Sequence, residues 1–265
     1  MPQPFLSIVI PAYNEQARLG PSLSAVLAWA KKSPRLVELI VVDDGSSDDT
    51  AGVARNRTDG SGVDATVLVN ERNRGKGFSL RRGVLSARGD LVLLTDADLS
   101  TPIEEADRLI EHMTGMGRGI VIGSRALRTS KVEVHQNPMR ELMGRIFNRL
   151  VRLLTGLPFR DTQCGFKLMT RRDVAPIFQK ARIDGFSYDV EILYVAVRRG
   201  VPVKEVAVSW RNAPGSKVGI LTDPLKMLAD VARVRRWYRQ GLYDLSEGPA
   251  GPARTDGSVK DDSQG

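Results

Sequence analysis

The sequence predicts an α/β fold: a Rossmann-like, mostly parallel central sheet flanked by helices, with amphipathic helices in the C-terminal half. Three observations predict it. Short apolar runs rich in β-branched residues alternate with stretches of helical spacing, the pattern of repeated strand–helix–strand units. The runs are apolar nearly throughout, as strands covered on both faces are. Acids and other polar residues follow the runs directly, where an open parallel sheet binds its ligands.

In chain order, "FLSIVI" (5–10), "LVELIVV" (36–42), "ATVLV" (65–69) and "LVLLT" (91–95) read as strands. Helical spacing fills roughly 15–31, 48–57 and 76–88 between them. "GIVIGS" (119–124) reads as another strand. Over 137–156, Met139, Leu142, Met143, Ile146, Phe147, Leu150 and Leu154 recur at helical spacing. "TQCGFKLM" (162–169) and "VPVKEVAVSW" (201–210) read as strands around a helix at 186–199, and 223–242 as a last amphipathic helix. Residues 1–245 are expected to form a single domain, and the Gly/Pro/Ser-rich 246–265 a disordered tail.

Hydrophobic residues at 42% and charged residues at 26% describe an ordinary globular protein. Cys164 is the one cysteine, which excludes an internal disulfide and fits a reducing compartment. With only His112 and His135 besides, a zinc site of soft ligands is implausible, and any metal must be oxygen-bound, which favours Mg²⁺ or Mn²⁺. "MPQPFLSIVIPAYNE" lacks a basic, apolar leader, and no window reaches the ~18 apolar residues of a membrane span, so a cytoplasmic protein is expected. Net charge is +8, yet Arg118 to Arg172 alone holds twelve Lys or Arg against three acids. That basic middle suggests a phosphate-bearing ligand, a polyanion or an anionic membrane. Nucleic acid is disfavoured, because Phe147, Phe159 and Phe166 occupy apolar-face or strand positions rather than forming a stacking platform.

In "LVLLTDADLSTP" (91–102) a buried strand ends in two carboxylates. Residues i and i+2 of a strand share a face, so Asp96 and Asp98 can converge on one point, where they repel unless a cation or protons neutralise them. A loop acid followed by a helix capped by Ser100 or Thr101 is the competing reading. "DDGSSDDT" (43–50) can be a turn and cap, but Asp43 directly follows an apolar strand, as Asp96 does. "NRGKG" (73–77) is not a phosphate-binding P-loop: Asn70 stands where its first glycine belongs, and Phe78 where Ser or Thr belongs. Gly75 and Gly77 can still bring backbone amides to a ligand at a helix start with Lys76 beside it, and a simple helix entry explains them equally.

"SIVIPAYNE", "ELIVVDDGSSDDT", "NRGKG", "LLTDADLSTP", "IGSR" and "DTQCGFK" occur in the order and spacing of family 2 glycosyltransferases with the GT-A fold. From about Leu6 to Leu242 the chain most resembles the dolichyl-phosphate glucosyltransferases and related polyprenyl-phosphate sugar synthases. The resemblance implies a nucleotide-binding half over about 1–118 and an acceptor-binding half over about 119–245. It implies that Pro11, Tyr13 and Glu15 line a nucleoside pocket, that Asp44 contacts uracil with Asp43 beside it, and that Lys76 neighbours the donor. Asp96, Ala97 and Asp98 would form the DXD motif, with Mg²⁺ or Mn²⁺ on Asp98 and Asp96 in the ribose and metal shell. Arg125 would face the acceptor phosphate, which its planar fork suits. Asp161 stands in the base position, as a ligand-ordering group or weak base, since a phosphate acceptor needs no strong base.

The implied reaction is inverting transfer of a hexose, foremost from UDP-glucose, to a dolichyl or polyprenyl phosphate. GDP-mannose, a UDP-N-acetylhexosamine or a soluble acceptor are the alternatives, selected by the loops after the DXD strand and around 128–140 and 211–219. A lipid acceptor implies peripheral association with the inner face of the cell membrane. The 137–156 helix, with Arg140, Arg145, Arg149 and Arg152, is the first candidate contact, and Arg233, Arg235, Arg236, Trp237, Tyr238 and Arg239 the second. Ordinary core packing explains the same periodicity.

Overall fold

The structure, a computed structural model, describes residues 3–134, 138–211 and 222–244. The chain runs β1 (Leu6–Ala12), α1 (Gln16–Lys32), β2 (Val37–Asp43), α2 (Thr50–Thr58), β3 (Asp64–Val69), α3 (Lys76–Ser86) and β4 (Leu91–Leu94). It continues through α4 (Glu105–Met116), β5 (Ile120–Ser124), β6 (Lys131–Val134), α5 (Pro138–Thr155), β7 (Lys167–Thr170) and α6 (Arg171–Lys180). Last come α7 (Tyr188–Arg198), β8 (Val203–Ala207), β9 (Ser209–Arg211) and α8 (Thr222–Arg239).

Seven strands form one sheet in the order β3-β2-β1-β4-β7-β5-β8, and β6 pairs with β9 beside it. Six of the seven are mutually parallel, and β7 alone runs against β4 and β5. Alternation along each strand divides the core between the two faces of the sheet. Ile8, Ile10, Leu39, Val41 and Leu93 pack with Leu19 and Leu23 of α1 and Leu109 and Ile110 of α4. Val9, Ile40, Val42 and Leu94 pack with Leu80 of α3, Phe147 of α5, Val190 of α7 and Val231 of α8. Both faces being covered is why the central strands carry no polar alternation.

The structure departs from the sequence-based reading in five places, the first being strand β6, which pairs with β9 within the 128–140 stretch read as a loop. Of "TQCGFKLM", only the end is strand: 162–166 is a loop, bent so that the Lys167 ammonium donates to the Cys164 carbonyl. The run at 201–210 breaks at Val208 into β8 and β9, because β9 leaves the main sheet to pair with β6. Helix α6 was not expected; Pro176 and the surrounding charges mask its period, and burial of Val174, Ile177 and Phe178 holds it. Neither Ser100 nor Thr101 caps α4, which begins at Glu105; the Ser100 amide instead donates to Asp98 Oδ1 at 3.0 Å, so this turn belongs to the acidic loop.

The apolar positions of α5 divide. Phe147 and Val151 are buried in the core, whereas Ile146 is 47%, Leu150 38% and Leu153 76% exposed, beside exposed Arg149 and Arg152. The side chains of Met139, Arg140, Leu142 and Arg145 lie outside the described residues, as do 135–137, 212–221 and the tail after Asp244.

Candidate active site

Parallel strands bring their C-terminal ends to one edge, and the expected residues meet there. Pro11 is the penultimate residue of β1, Asp43 ends β2, Asp96 lies just after β4 and Arg125 follows β5. Because β7 runs the other way, its N-terminal end, with Asp161 upstream and Lys167 at its start, reaches the same edge.

The loops after β1 and β2 interlock. The Asn14 amide donates to Ser46 Oγ at 2.9 Å, the Ser47 amide to Asn14 Oδ1 at 2.8 Å, and the Glu15 amide to Thr50 Oγ1 at 2.8 Å. Glu15 is held by both ends of the Arg18 guanidinium, at 2.8 and 2.7 Å. Tyr13, in the loop after β1, is half-buried. Asp43 is buried and accepts from the Ser46 hydroxyl. Asp44 is 4% exposed and commits both oxygens inward: Oδ1 accepts from Asn70 at 2.7 Å and the Arg74 amide at 3.0 Å, and Oδ2 from the Gly75 amide at 2.7 Å. In this arrangement Asp44 anchors the "NRGKG" turn.

That turn requires its glycines. Gly75 sits at φ +103°, and a Cβ on Gly75 or Gly77 would collide with the carbonyl of Asp184 or Ile183. The turn starts α3 and aims Lys76 back at the sheet edge, where its Nζ lies 2.6 Å from Asp96 Oδ1. Lys76 is thus both the helix entry and a neighbour of the DXD pair. Burial works against its charge, and Asp96 beside it raises its pKa nonetheless. For Asp96, burial pushes the carboxyl up, and the Lys76 ammonium outweighs it and holds it below the usual range. A Cβ on Gly165 would strike the Asp96 carboxylate, so the glycine of "DTQCGFK" is what allows that loop to lie against the DXD pair.

Ala97 is buried in the core between Asp96 and Asp98, while both acids are half-buried. Leu99, with φ +44°, and Asn14, with φ +49°, are the non-glycine residues in the left-handed region among the described ones, and both lie in these loops. Backbone strain of this kind collects at functional sites.

Arg125 grips Asp161 with its fork: Nε to Oδ2 at 2.7 Å and Nη2 to Oδ1 at 2.9 Å, with its amide also donating to Oδ2 at 3.0 Å. Its guanidinium lies 5.4 Å from the Trp210 ring centre. Burial alone would raise the Asp161 pKa, but Arg125 overrides it and holds the carboxyl down to about 2. Such a carboxylate is a poor base and a good anchor. The Nη1 edge of the arginine is not used by Asp161.

Two residues of this edge had no assigned role in the sequence. Lys167 and Asp189 are both buried and pair at 2.5 Å. Burial pushes the Asp189 carboxyl up, with Lys167 and then Lys76 working against it. Lys167 was visible as the cation of "GFK"; Asp189 reads in sequence only as an acid in the first turn of a helix.

Among the described residues no three His, Cys, Asp or Glu form a cluster able to hold a metal alone. The donor set fits a hard divalent ion that takes one or two carboxylates and completes its shell from phosphate oxygens and water. Asp98 uses Oδ1 on the Ser100 amide, and its carboxylate is half-exposed beside Asp96.

A family model described as "Glycosyl transferase family 2" matches residues 7–178. The chain belongs to glycosyl transferase family 2. It is 36% identical over 253 residues to the dolichyl-phosphate beta-glucosyltransferase of Mus musculus, spanning 91% of this chain and 78% of the relative. The proteins of the same name from Dictyostelium discoideum and Homo sapiens are 35% and 34% identical, again over 91% of this chain and 77% and 78% of theirs. Among solved structures, mannosyl-3-phosphoglycerate synthase from Rubrobacter xylanophilus superposes with a TM-score of 0.66 at 23% identity, over 94% of this chain and 79% of that one. Glucosyl-3-phosphoglycerate synthase from Mycobacterium tuberculosis, in complex with Mn²⁺ and UDP-glucose, gives 0.62 at 22% identity, over 94% and 82%. At these identities the match carries the fold, and the fold is GT-A as expected. This family 2 member is a glycosyltransferase, and no helix among its described residues is long and apolar enough to cross a membrane.

Proposed function

We propose that this glycosyltransferase moves glucose from UDP-glucose to a polyprenyl phosphate, inverting the anomeric carbon to give a β-linked lipid product. One observation carries the reading: the DXD carboxylates, Lys76 and the Arg125–Asp161 pair converge at one sheet edge, in a chain whose relatives are named for glucosyl transfer to dolichyl phosphate. Pro11, Tyr13, Glu15, Asp43 and Asp44 shape the nucleoside side of the site, Asp44 through the turn it anchors. Asp98, with Asp96, holds Mg²⁺ or Mn²⁺ against the diphosphate. When bound, that ion supplies Lewis-acid charge to the departing diphosphate.

Lys76 adds positive charge on the same side, and Asp161 fixes Arg125 so that the Nη1 edge meets the acceptor phosphate. A phosphate oxygen of the acceptor forms the new bond to the anomeric carbon, the bond to the diphosphate breaks, and UDP leaves with the electron pair. That oxygen is already anionic near neutral pH, so no carboxylate must take a proton from it. The split into a donor half (about 1–118) and an acceptor half (about 119–245) follows the same line: Glu15 lies after β1, Asp43 ends β2, Asp96 and Asp98 lie after β4, and Arg125 follows β5.

The lipid reaches the site from a membrane whose headgroups meet α5 and α8. Exposed Ile146, Leu150 and Leu153 with Arg149 and Arg152 form an apolar stripe edged by cations, the composition that rests in an anionic headgroup layer. Packed against α5 is α8, which exposes Arg233, Arg236 and Arg239. In this reading the enzyme works at the cytoplasmic face of that membrane. The test is a donor screen with a short polyprenyl phosphate, scored by the mass of the lipid product. Hexose addition from UDP-glucose, well ahead of GDP-mannose and UDP-N-acetylglucosamine, supports the reading; preference for either competitor overturns the donor.

A further inference from the structure

The Gly75–Gly77 turn that carries Lys76 is seated on another loop, 181–187, and the back of that loop is fastened to the C-terminal helix. On the front, the Phe78 amide donates to the Asp184 carbonyl at 3.1 Å, and Arg81 reaches across to the Ala181 carbonyl at 2.9 Å and Asp184 Oδ1 at 2.7 Å. The collisions that exclude a Cβ at Gly75 and Gly77 are with the Asp184 and Ile183 carbonyls of this loop. Wherever that backbone goes, Lys76 goes with it.

On the back, three contacts reach α8 and the residues after it. Ser187 Oγ donates to Asp230 Oδ2 at 2.9 Å. The Arg182 guanidinium lies 5.9 Å from the Trp237 ring centre. Tyr243, 1% exposed, donates its hydroxyl to Glu191 Oε1 at 2.5 Å. Glu191 is fully buried, and its two oxygens accept the Arg182 and Ile183 amides at 2.8 and 2.9 Å. One carboxylate therefore joins the end of the chain's last described segment to the backbone under the Lys76 turn. An acid this deep is tolerated only while hydrogen bonds compensate it, and Tyr243 supplies one of three.

We infer that Tyr243 and Glu191 are positioning residues for Lys76: the Tyr243–Glu191 contact latches loop 181–187, and through it sets where the Lys76 ammonium meets the donor. The consequence for the donor rests on the proposed reading of Lys76; the mechanical link does not. The latch adds a role for α8 besides any contact with lipid.

Tyr243→Phe removes one hydroxyl and keeps the ring packed against Tyr238, whose centre is 6.4 Å away. Amide hydrogen exchange of the intact protein reads the link directly. Residues 75–78 are expected to exchange about 10-fold faster in the variant, while amides of β1 and β2 are unchanged. Calorimetric titration with UDP and Mn²⁺ is expected to weaken about 5- to 10-fold, with KM for the donor rising and kcat changing by less than about 2-fold. Glu191→Gln, which keeps the shape and loses the charge, is expected to act in the same direction. Unchanged exchange at 75–78 in both variants, whatever happens to the melting temperature, overturns the latch. If exchange rises and the affinity for UDP does not change, the latch stands without Lys76 acting on the donor, and that part of the inference is wrong. Failure of the wild-type protein to bind UDP with Mn²⁺ would instead count against the donor reading, and the exchange result still decides the latch.

Discussion

At the sheet edge each acid of the site has a cation, hydroxyl or amide within hydrogen-bond distance, whereas on α5 Arg149 and Arg152 stand exposed among Ile146, Leu150 and Leu153. The first arrangement fixes geometry. Its charges face one another in a partly dry setting, and salt screens them little. The second fixes nothing inside the protein. Its charges interact across water with whatever lies opposite, and screening weakens them over about 10 Å at 0.1 M salt. The comparison teaches that a basic segment of sequence can hold two kinds of cation. Arg125 and Lys167 pair with the acids Asp161 and Asp189 at the sheet edge, while Arg149 and Arg152 stand exposed.

The sharpest way to break the comparison is to remove an acid from the edge. Asp98→Ala is expected to lower transfer by at least about 100-fold, since a Lewis-acid contact contributes several kcal/mol to the transition state. Asp98 is half-exposed and outside the core, so circular dichroism and the thermal midpoint should change little. A near wild-type rate in this variant, together with indifference to EDTA, would remove the metal from the DXD pair.

Next in size is Arg125. Losing a charge-assisted contact to a phosphate costs about 1.5–3 kcal/mol, roughly 10- to 150-fold in use of the lipid acceptor. Arg125→Ala should show that loss with UDP binding largely kept, and Arg125→Lys should recover only part of it, because the fork that holds Asp161 is gone. Loss of UDP affinity instead would put Arg125 on the donor. The pair also has a pH signature. The Asp161 carboxyl is held down to about 2 in the folded protein, below its unfolded value near 3.8, so its contribution is fully present above about pH 4 and lost as pH falls towards 2. Asp161→Asn should flatten the stability curve in that window and leave its neutral-pH shape alone; an unchanged acid limb would mean that the pairing contributes nothing.

Much of the edge was legible because the motif residues follow strands directly, and parallel strands must deliver them to one side. The reversed β7 was not legible: "TQCGFKLM" gives no direction, and its placement between β4 and β5 is a matter of long-range pairing. Asp189 and Glu191 escaped for a related reason. Each sits in the first turn of α7, where an acid ordinarily means a favourable helix dipole, and only the packing of that turn reveals Lys167 and Tyr243 as partners. Periodicity on α5 likewise marked apolar positions without saying which face meets the core. The structure assigns Phe147 and Val151 to the inside and leaves Ile146, Leu150 and Leu153 outside.

That division can be sharpened at the α5 surface. A joint Arg149→Glu and Arg152→Glu replacement should reduce binding to vesicles containing phosphatidylserine by more than about 10-fold, at about 1 kcal/mol per basic residue, and added salt should mimic it. Equal partition of the wild-type protein to neutral and anionic vesicles would contradict the assignment. The smallest expected effect is on stability. Leu153→Ser should change the unfolding free energy by less than about 0.5 kcal/mol, as exposed positions do, yet still weaken vesicle binding. A large loss of stability would show that this face packs inside the protein.

The most direct measurement is the product itself. Wild-type protein incubated with UDP-glucose, Mn²⁺ and a short polyprenyl phosphate, with 3-phosphoglycerate present at equal concentration, should yield a glucosyl lipid phosphate whose anomeric coupling reports the β configuration. UDP should be released in equal amount. Glucose found only on the soluble phosphate, or an α-linked lipid, would contradict the account.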